Sequence, residues 1–242
     1  MYRTIYDDDV CTWSPQGRIF QVEYAMEAVK QGSACLAARS DTHIVLAAYK
    51  RVETQKKIYK IDDQLGCVIS GLNADARKLS QYMKDTCMRH KYTNETTIPT
   101  SRLVVQVANR AQKRTMGFGS RPFGVGLIIT GVDKSGPHLY YADPAGNYTE
   151  YFAQAMGARS QASKTYLERH FKSFPKANLE QLTSHVLHAL QASSGDEELD
   201  ASTCSVAAVG IGMEFKEYSD EEVAELLEKA KHFDIASSTF TE

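Results

Sequence analysis

Apolar positions along the chain keep two rhythms, and each change of rhythm marks an element. Residues 1–17 show neither: they are polar, with Asp7-Asp8-Asp9 in the middle and a Ser14-Pro15-Gln16-Gly17 turn at the end. From Phe20 the spacing becomes helical, with Val22, Ala25, Met26 and Val29 on one face and Gly32 as the stop. Dense apolar runs follow. Ala34–Arg39 and His43–Tyr49 flank a Ser40-Asp41-Thr42 turn and predict a hairpin, and Lys57–Ile61 with Leu65–Gly71 predict a second pair. Asn73 is then placed as an N-cap, and Leu79, Met83 and Cys87 recur at every fourth residue of a helix. Another helix follows Pro99-Thr100, with Leu103, Val104, Val107 and Ala111 on its apolar face.

The second half repeats the scheme. Strands are predicted at Gly124–Val132, His138–Ala142 and Tyr148–Gln154, separated by Lys134-Ser135-Gly136 and Asp143-Pro144-Ala145-Gly146 turns. Helices over roughly 158–172 and 177–192 come next, the latter with Leu179, Leu182, Val186 and Leu190 at helical spacing. Strands at Thr203–Gly210 and Met213–Tyr218 and an acidic helix from Asp220 to Lys231 complete the order. Strands joined in adjacent runs by short turns predict mainly antiparallel sheets, and paired helices suit layers outside them. The fold class is therefore α+β, a four-layer α-β-β-α sandwich. The runs at 43–49, 65–71, 124–132 and 203–210 are apolar enough to be covered on both faces. One domain over 1–242 is expected: a tail and turn (1–18), a helix (19–32), the sandwich (33–218), and an acidic helix and tail (219–242).

Charge and composition narrow the function classes. With 28 Lys+Arg against 30 Asp+Glu, the net charge of −2 lacks the basic excess of a dedicated nucleic-acid binder. No apolar run approaches the ~18–20 residues that cross a bilayer. Phe123 to Val132 is interrupted by glycines and reads as a buried strand. The opening residues lack an apolar signal core, so the cytoplasm or nucleus is the expected location. The five cysteines are scattered without a CxxC pair and read as buried or incidental thiols. Residues 213–242 hold nine acids against three lysines, which reads as a solvated helix face and tail.

Candidate chemistry mostly dissolves on inspection. The glycine-rich Gly117–Gly126 stretch follows a helix and precedes a strand, the reverse of a phosphate loop, and reads as a structural turn. His185 and His188 stand three apart on a helix without the carboxylate of a metal motif, and read as surface or partly packed histidines. No Gly-x-Ser-x-Gly is present. No cofactor and no metal is expected.

One extended match remains. Tyr6-Asp7, Trp13-Ser14-Pro15-Gln16-Gly17-Arg18-Ile19-Phe20-Gln21-Val22-Glu23-Tyr24-Ala25, Gln31-Gly32-Ser33, Ser70-Gly71-Leu72-Asn73-Ala74-Asp75-Ala76-Arg77, Arg121-Pro122-Phe123-Gly124-Val125 and Asp143-Pro144-Ala145-Gly146 together resemble proteasome alpha subunits. The resemblance spans nearly the whole chain and implies the sandwich of the N-terminal-nucleophile hydrolases. It also implies partners: other alpha subunits in a heteroheptameric ring, beta-ring subunits, the ATPase C-termini of regulatory particles, and unfolded polypeptide substrates. Nucleic acid and membrane are not implied.

The beta subunits of that family are threonine proteases whose nucleophile lies at a free N-terminus, with a lysine and a carboxylate nearby. Registering the first hairpin onto theirs puts Ser33 at the nucleophile position, with a peptide bond behind it and a helix across the approach. Tyr49 falls where the carboxylate would be, and the stretch carrying the lysine is shortened between Arg51 and Lys57. The resemblance thus implies a non-catalytic subunit for ring assembly, gating of substrate entry and regulator docking. By family match Tyr6, Asp7, Pro15 and Tyr24 would hold the gate's open form, and Lys57, Gly32 and Leu72 would form the regulator pocket. A tail of 17 residues, at about 3.3 Å each, reaches tens of ångströms. Most alpha subunits read Tyr-Asp-Arg in the tail, whereas this chain has Tyr6-Asp7-Asp8 and cannot make contacts that need that cation. The alternatives are an active hydrolase with Ser33 as nucleophile, and a free-standing, monomeric binding module.

Overall fold

The computed structural model describes residues 5–195 and 198–233. The acidic tail past Phe233 lies outside the described residues. A first helix, α1 (Phe20–Gln31), leads into strands β1 (Cys35–Arg39), β2 (His43–Tyr49), β3 (Ile58–Asp62) and β4 (Leu65–Gly71). Helices α2 (Asn73–Asn94) and α3 (Thr100–Lys113) precede β5 (Val125–Asp133), β6 (Gly136–Ala142), β7 (Tyr148–Glu150) and β8 (Ala153–Met156). Helices α4 (Ser160–His170) and α5 (Leu179–Ser194), strands β9 (Cys204–Gly210) and β10 (Met213–Glu217), and α6 (Asp220–Lys231) follow.

The strands form two five-stranded sheets, ordered β10-β9-β2-β1-β8 and β3-β4-β5-β6-β7. Each pairing is antiparallel. Three apolar layers hold the sandwich. Ala37, Ile44, Leu46, Val68, Ile128 and Leu139 meet between the sheets. Leu36, Val45, Phe174, Val186, Leu190 and Val206 join the first sheet to its helices. Ile69, Leu79, Met83, Leu103, Val107 and Ile129 do the same for the second. Neighbouring strand residues such as Val45 and Leu46 therefore enter different cores, because side chains alternate across a strand and both faces are covered. The near-continuous apolar runs have that cause.

The ends of elements carry local signals. Asn178 and Ser219 cap α5 and α6 with full capping boxes, pairing with Gln181 and Glu222. Asn73 does not cap α2. Leu72 holds the cap position in an extended conformation, Asn73 is already helical, and its Oδ1 is buried without a hydrogen bond. The cause lies upstream: Gly71 has φ of 113° and the Leu72 N–H donates to the Gly124 carbonyl at 2.8 Å, which keeps the chain extended through Leu72.

The predicted strand Tyr148–Gln154 is two strands in two sheets. Tyr148–Glu150 pairs with β6, and Ala153–Met156 pairs with β1. Tyr151 and Phe152 make the crossing: the Tyr151 N–H donates to the Leu139 carbonyl and the Phe152 carbonyl accepts from the Arg39 N–H. The Arg39 guanidinium stacks over Phe152 at 4.4 Å.

His185 is fully buried rather than at the surface. It lies among Tyr166, His170, Phe174 and Phe233. His188 is half-buried, and its Nε2 lies 2.9 Å from the Ala230 carbonyl. Among the described residues, the exposed acids Asp220, Glu217 and Glu214 pair with Lys50, Lys56 and Lys60.

Candidate functional site

Helix α1 buries little of itself, with Ala25 and Val29 as its buried residues. It can lie close to the second sheet because two glycines make room. A Cβ on Gly126 would stand 2.8 Å from the Val29 methyl, and one on Gly124 would meet Leu72 at 2.7 Å and Ala28 at 3.7 Å. Gly126 is inside β5 and Gly124 adjoins it, so the end of the glycine-rich stretch is a helix-packing surface rather than a turn. Val29 reaches the core between the sheets, and α1 closes that end of the sandwich.

The residues ahead of α1 are fixed by short-range polar chemistry. Ser14 opens the turn; its carbonyl accepts from the Gly17 N–H at 2.9 Å and its Oγ accepts from the Arg18 N–H at 3.1 Å. Gly17 has φ of 73°, the left-handed conformation that favours glycine. Arg18 donates through Nε to Glu23 at 2.6 Å, with a second ion-pair contact through Nη2. Pro15 sits exposed in this turn. Tyr24 Oη donates to Asp7 Oδ2 at 3.0 Å, and Gln21 Nε2 donates to the Asp7 carbonyl at 2.5 Å. The bond to Asp7 raises the Tyr24 phenol above its ordinary value. The structure thus brings Asp7 and Tyr24 together. Tyr6 is half-buried next to Asp7 in the chain and Pro15 stands in the turn, and the Asp7–Tyr24 bond includes neither of them. Gln21 and Arg18 are members of this unit that sequence reasoning did not single out, although both lie in the Trp13–Ala25 motif.

Gly32 and Lys57, far apart in sequence, each adjoin the C-terminal half of β4, and Leu72 follows it. The Lys57 carbonyl accepts from the Ile69 N–H at 3.1 Å. Gly32 presses on the next residues: a Cβ there would stand 2.2 Å from Ser70 Oγ and 2.4 Å from the Gly71 nitrogen. Leu72 follows directly and is 48% exposed. Ser70 is the clasp, since its Oγ donates to the Val29 carbonyl at 2.9 Å and lies 3.3 Å from the Ser33 carbonyl, satisfying the frayed end of α1. Arg51 Nη2 donates to the Gln31 carbonyl at 3.1 Å on the same side.

Lys56 and Lys60 flank Lys57 in the sequence and are exposed, whereas Lys57 is buried. It is 2% exposed. Burial pushes its ammonium below the ordinary lysine value, with Cys35 opposing and Arg51 adding to the shift. Burying a cation is costly unless it is paired. Ser33 beside it is 4% exposed, and its Oγ has no hydrogen-bond partner. The Ser33 nitrogen is in peptide linkage to Gly32, and α1 directly precedes it. The Tyr49 N–H donates to the Ala34 carbonyl at 2.9 Å in the hairpin ladder.

A second polar cluster resembles a hydrolytic triad in outline only. Ser135 Oγ lies 2.8 Å from His138 Nε2, and His138 Nδ1 lies 2.7 Å from Glu150. Ser135 Oγ donates to Asp133 at 2.5 Å, and that carboxylate also lies 3.3 Å from His138. Together these contacts tie the β5–β6 turn to β7.

Comparison with known proteins agrees with this geometry. The proteasome subunit family matches residues 29–209, and the N-terminal signature of its A-type subunits matches residues 6–28. The alpha type-1 proteasome subunit of Dictyostelium discoideum is 46% identical over 223 residues, covering 89% of this chain and 90% of that protein. The alpha type-1 proteasome subunit of Trypanosoma brucei rhodesiense is 43% identical, covering 96% and 90%. The alpha type-6 proteasome subunit of Saccharomyces cerevisiae is 44% identical, covering 94% and 100%. The N-terminal signature covers the turn and most of α1, and the family match covers the sandwich through β9. The chain belongs to the proteasome subunit family, in its alpha-type branch.

Proposed function

We propose that this chain is a non-catalytic alpha-ring subunit of the 20S core particle, of the alpha type-1 kind, acting in ubiquitin-dependent protein degradation in the cytoplasm and nucleus. It takes a place in a heteroheptameric ring stacked on a beta ring. Its N-terminal segment contributes to the gate over substrate entry, with Tyr6, Asp7, Pro15 and Tyr24 as the open-state cluster. The junction at Gly32, Lys57 and Leu72 receives the C-terminal carboxylate of a regulatory-particle ATPase.

The observation that carries the non-catalytic reading is the state of Ser33. A nucleophile of this class needs a free amine beside its hydroxyl. Here the amine is an amide, α1 is joined to it, and the hydroxyl is buried. The observation that supports docking is Lys57, a buried lysine whose backbone pairs with Ile69 near the end of β4. Carboxylate capture needs such a cation together with backbone N–H groups.

Two measurements test the reading. Native mass of the purified assembly should be that of a multi-subunit particle, and intact mass of this subunit should retain the segment before Ser33. A mature chain starting at Ser33, labelled there by an active-site-directed electrophile, refutes the non-catalytic assignment.

A further inference from the structure

Helix α6 rests on α5 by a narrow stripe. Val223, Leu226, Leu227 and Ala230 recur at helical spacing. Val223 and Ala230 are buried, and Nε2 of His188 in α5 lies 2.9 Å from the Ala230 carbonyl. Leu226 and Leu227 are half-buried and fall to either side of this seat, each lining a groove. On the Leu227 side the recess is about 310 Å³, and its carboxylate, Glu198, lies 3.8 Å from Lys231. On the Leu226 side it is larger, about 720 Å³, and runs from Asn178, the cap of α5, to Phe233 just past α6. Phe233 is half-buried and meets the His185 ring edge-on at 5.4 Å. Leu226 and Phe233 give this groove an apolar floor.

The rim is acidic. Glu180, Glu225 and Glu228 line it together with Lys229, and Lys229 is taken by Glu180 at 3.7 Å. Among the described residues, no cation comes within ion-pair distance of Glu225 or Glu228. Helix stability does not explain these two. Asp220, Glu221 and Glu222 stand in the first turn of α6, where the helix dipole favours acids, and Glu222 completes the capping box. Glu228 stands in the last turn, where the dipole opposes it. Glu225 has Glu221 four residues before it and Glu228 three after, spacings at which like charges repel. Lys229, four residues after Glu225, is the lysine that Glu180 takes.

We propose that the α5–α6 groove is a docking site for a basic protein segment in which lysines or arginines flank an aromatic or large aliphatic residue. The apolar side chain covers Leu226 and Phe233, and the cations pair with Glu225 and Glu228. Charge fixes the class of partner. Nucleic acid and anionic membrane surfaces carry the wrong sign. So does the end of this chain, since residues 234–242 hold Asp234 and Glu242 and no base. The groove belongs to the helical layer over the first sheet and shares no residue with the junction at Gly32, Lys57 and Leu72, so it does not rest on the docking reading above.

The probe is a capped peptide, Lys-Lys-X-Lys-Lys, in which X is p-benzoylphenylalanine. It is photo-cross-linked to the assembled core particle with the peptidase sites inhibited, and adducts are mapped by mass spectrometry. Adducts should fall on residues 178–184 and 225–233 and should saturate. Glu225→Gln combined with Glu228→Gln should raise the half-saturating concentration by about fivefold or more. Glu53→Gln combined with Glu95→Gln, two exposed acids outside the groove, should leave it within about twofold. Unlabelled Lys-Lys-Phe-Lys-Lys should compete about tenfold better than Lys-Lys-Ser-Lys-Lys, because the serine cannot cover the floor. Equal loss in the two double variants, or equal competition by the two peptides, means diffuse attraction of cations to an acidic surface and overturns the site. Lack of saturable adducts at the groove overturns it as well. A particle whose copy of this chain ends at Phe233 should bind the probe within about twofold of the full chain. A gain of about tenfold or more would make the chain's own end the occupant and overturn the assignment to a separate partner.

Discussion

Single residues divide into those whose chemistry is visible in the sequence and those whose setting only the fold reveals. Lys57 belongs to both groups: motif matching finds it, but its burial is hidden, because its neighbours Lys56 and Lys60 suggest a solvated basic run. Its depressed pKa means that the folded chain bears a cost for keeping it charged. Replacing Lys57 with Met should therefore stabilise the isolated chain by about 1 kcal/mol, read as a rise in melting temperature. The same change should weaken binding of a regulator C-terminal peptide by about ten- to a hundredfold at this pocket, the loss of a charge-assisted hydrogen bond. Equal affinity for wild type and Lys57→Met would refute the docking role. His185 escapes placement from sequence for a related reason: its helical spacing fits either face of α5, and only Tyr166, His170, Phe174 and Phe233 around it decide. Burial, with His170 and His188 adding, lowers His185 to about 4. From about pH 6.5 down to about 4 the unfolded chain binds a proton there that the folded chain refuses, so stability falls as pH falls through that window. Melting temperature at pH 7, 6 and 5 should decline, and His185→Phe should flatten the decline; an identical slope in the variant would show that other groups carry it.

At the scale of elements, periodicity locates nearly every helix and strand, because both faces of most strands and one face of each helix are buried. It cannot see changes of partner. Tyr148–Gln154 keeps an unbroken strand pattern while crossing from one sheet to the other, since Tyr151 and Phe152 satisfy the pattern in either sheet. It also cannot see close approach. Gly124 and Gly126 open the predicted strand, and nothing in the sequence marks them as the place where α1 rests on the sheet. The α1–β1 junction is tightest at Gly32, enclosed by Ser70 and Gly71 on one side and bonded through its carbonyl to the Ala158 N–H at 2.7 Å on the other. Its φ of −63° suits any residue, so the restriction is steric, not conformational. Gly32→Ala should thus cost about 1–3 kcal/mol as an overpacked site, seen in urea unfolding, and should shift α1 away from β4. A variant as stable as wild type would mean that the junction yields easily and is not a rigid contact.

For the whole molecule, the sandwich satisfies its own core but not its surface. Trp13, Met116 and Phe118 are 63%, 63% and 88% exposed, and the Cys11–Met116 contact puts the N-terminal segment and the α3–β5 loop at one corner. Large apolar side chains left in water together mark contact surfaces rather than core. Their exposure separates two effects that usually travel together. Phe118→Ser removes little packing within the chain, so its stability should stay within about 0.5 kcal/mol of wild type. If this corner meets a neighbouring ring subunit, the same change should lower the yield of assembled particle in co-expression with the other alpha subunits and leave more free chain, as read by native mass and size exclusion. Tyr92 provides the contrast: it is 90% exposed near the C-terminal end of α2, away from that corner. Loss of assembly with Phe118→Ser but not with Tyr92→Ser would place lateral contact at the α3–β5 loop. Full assembly with Phe118→Ser would remove this corner from the ring interface, whatever its exposure.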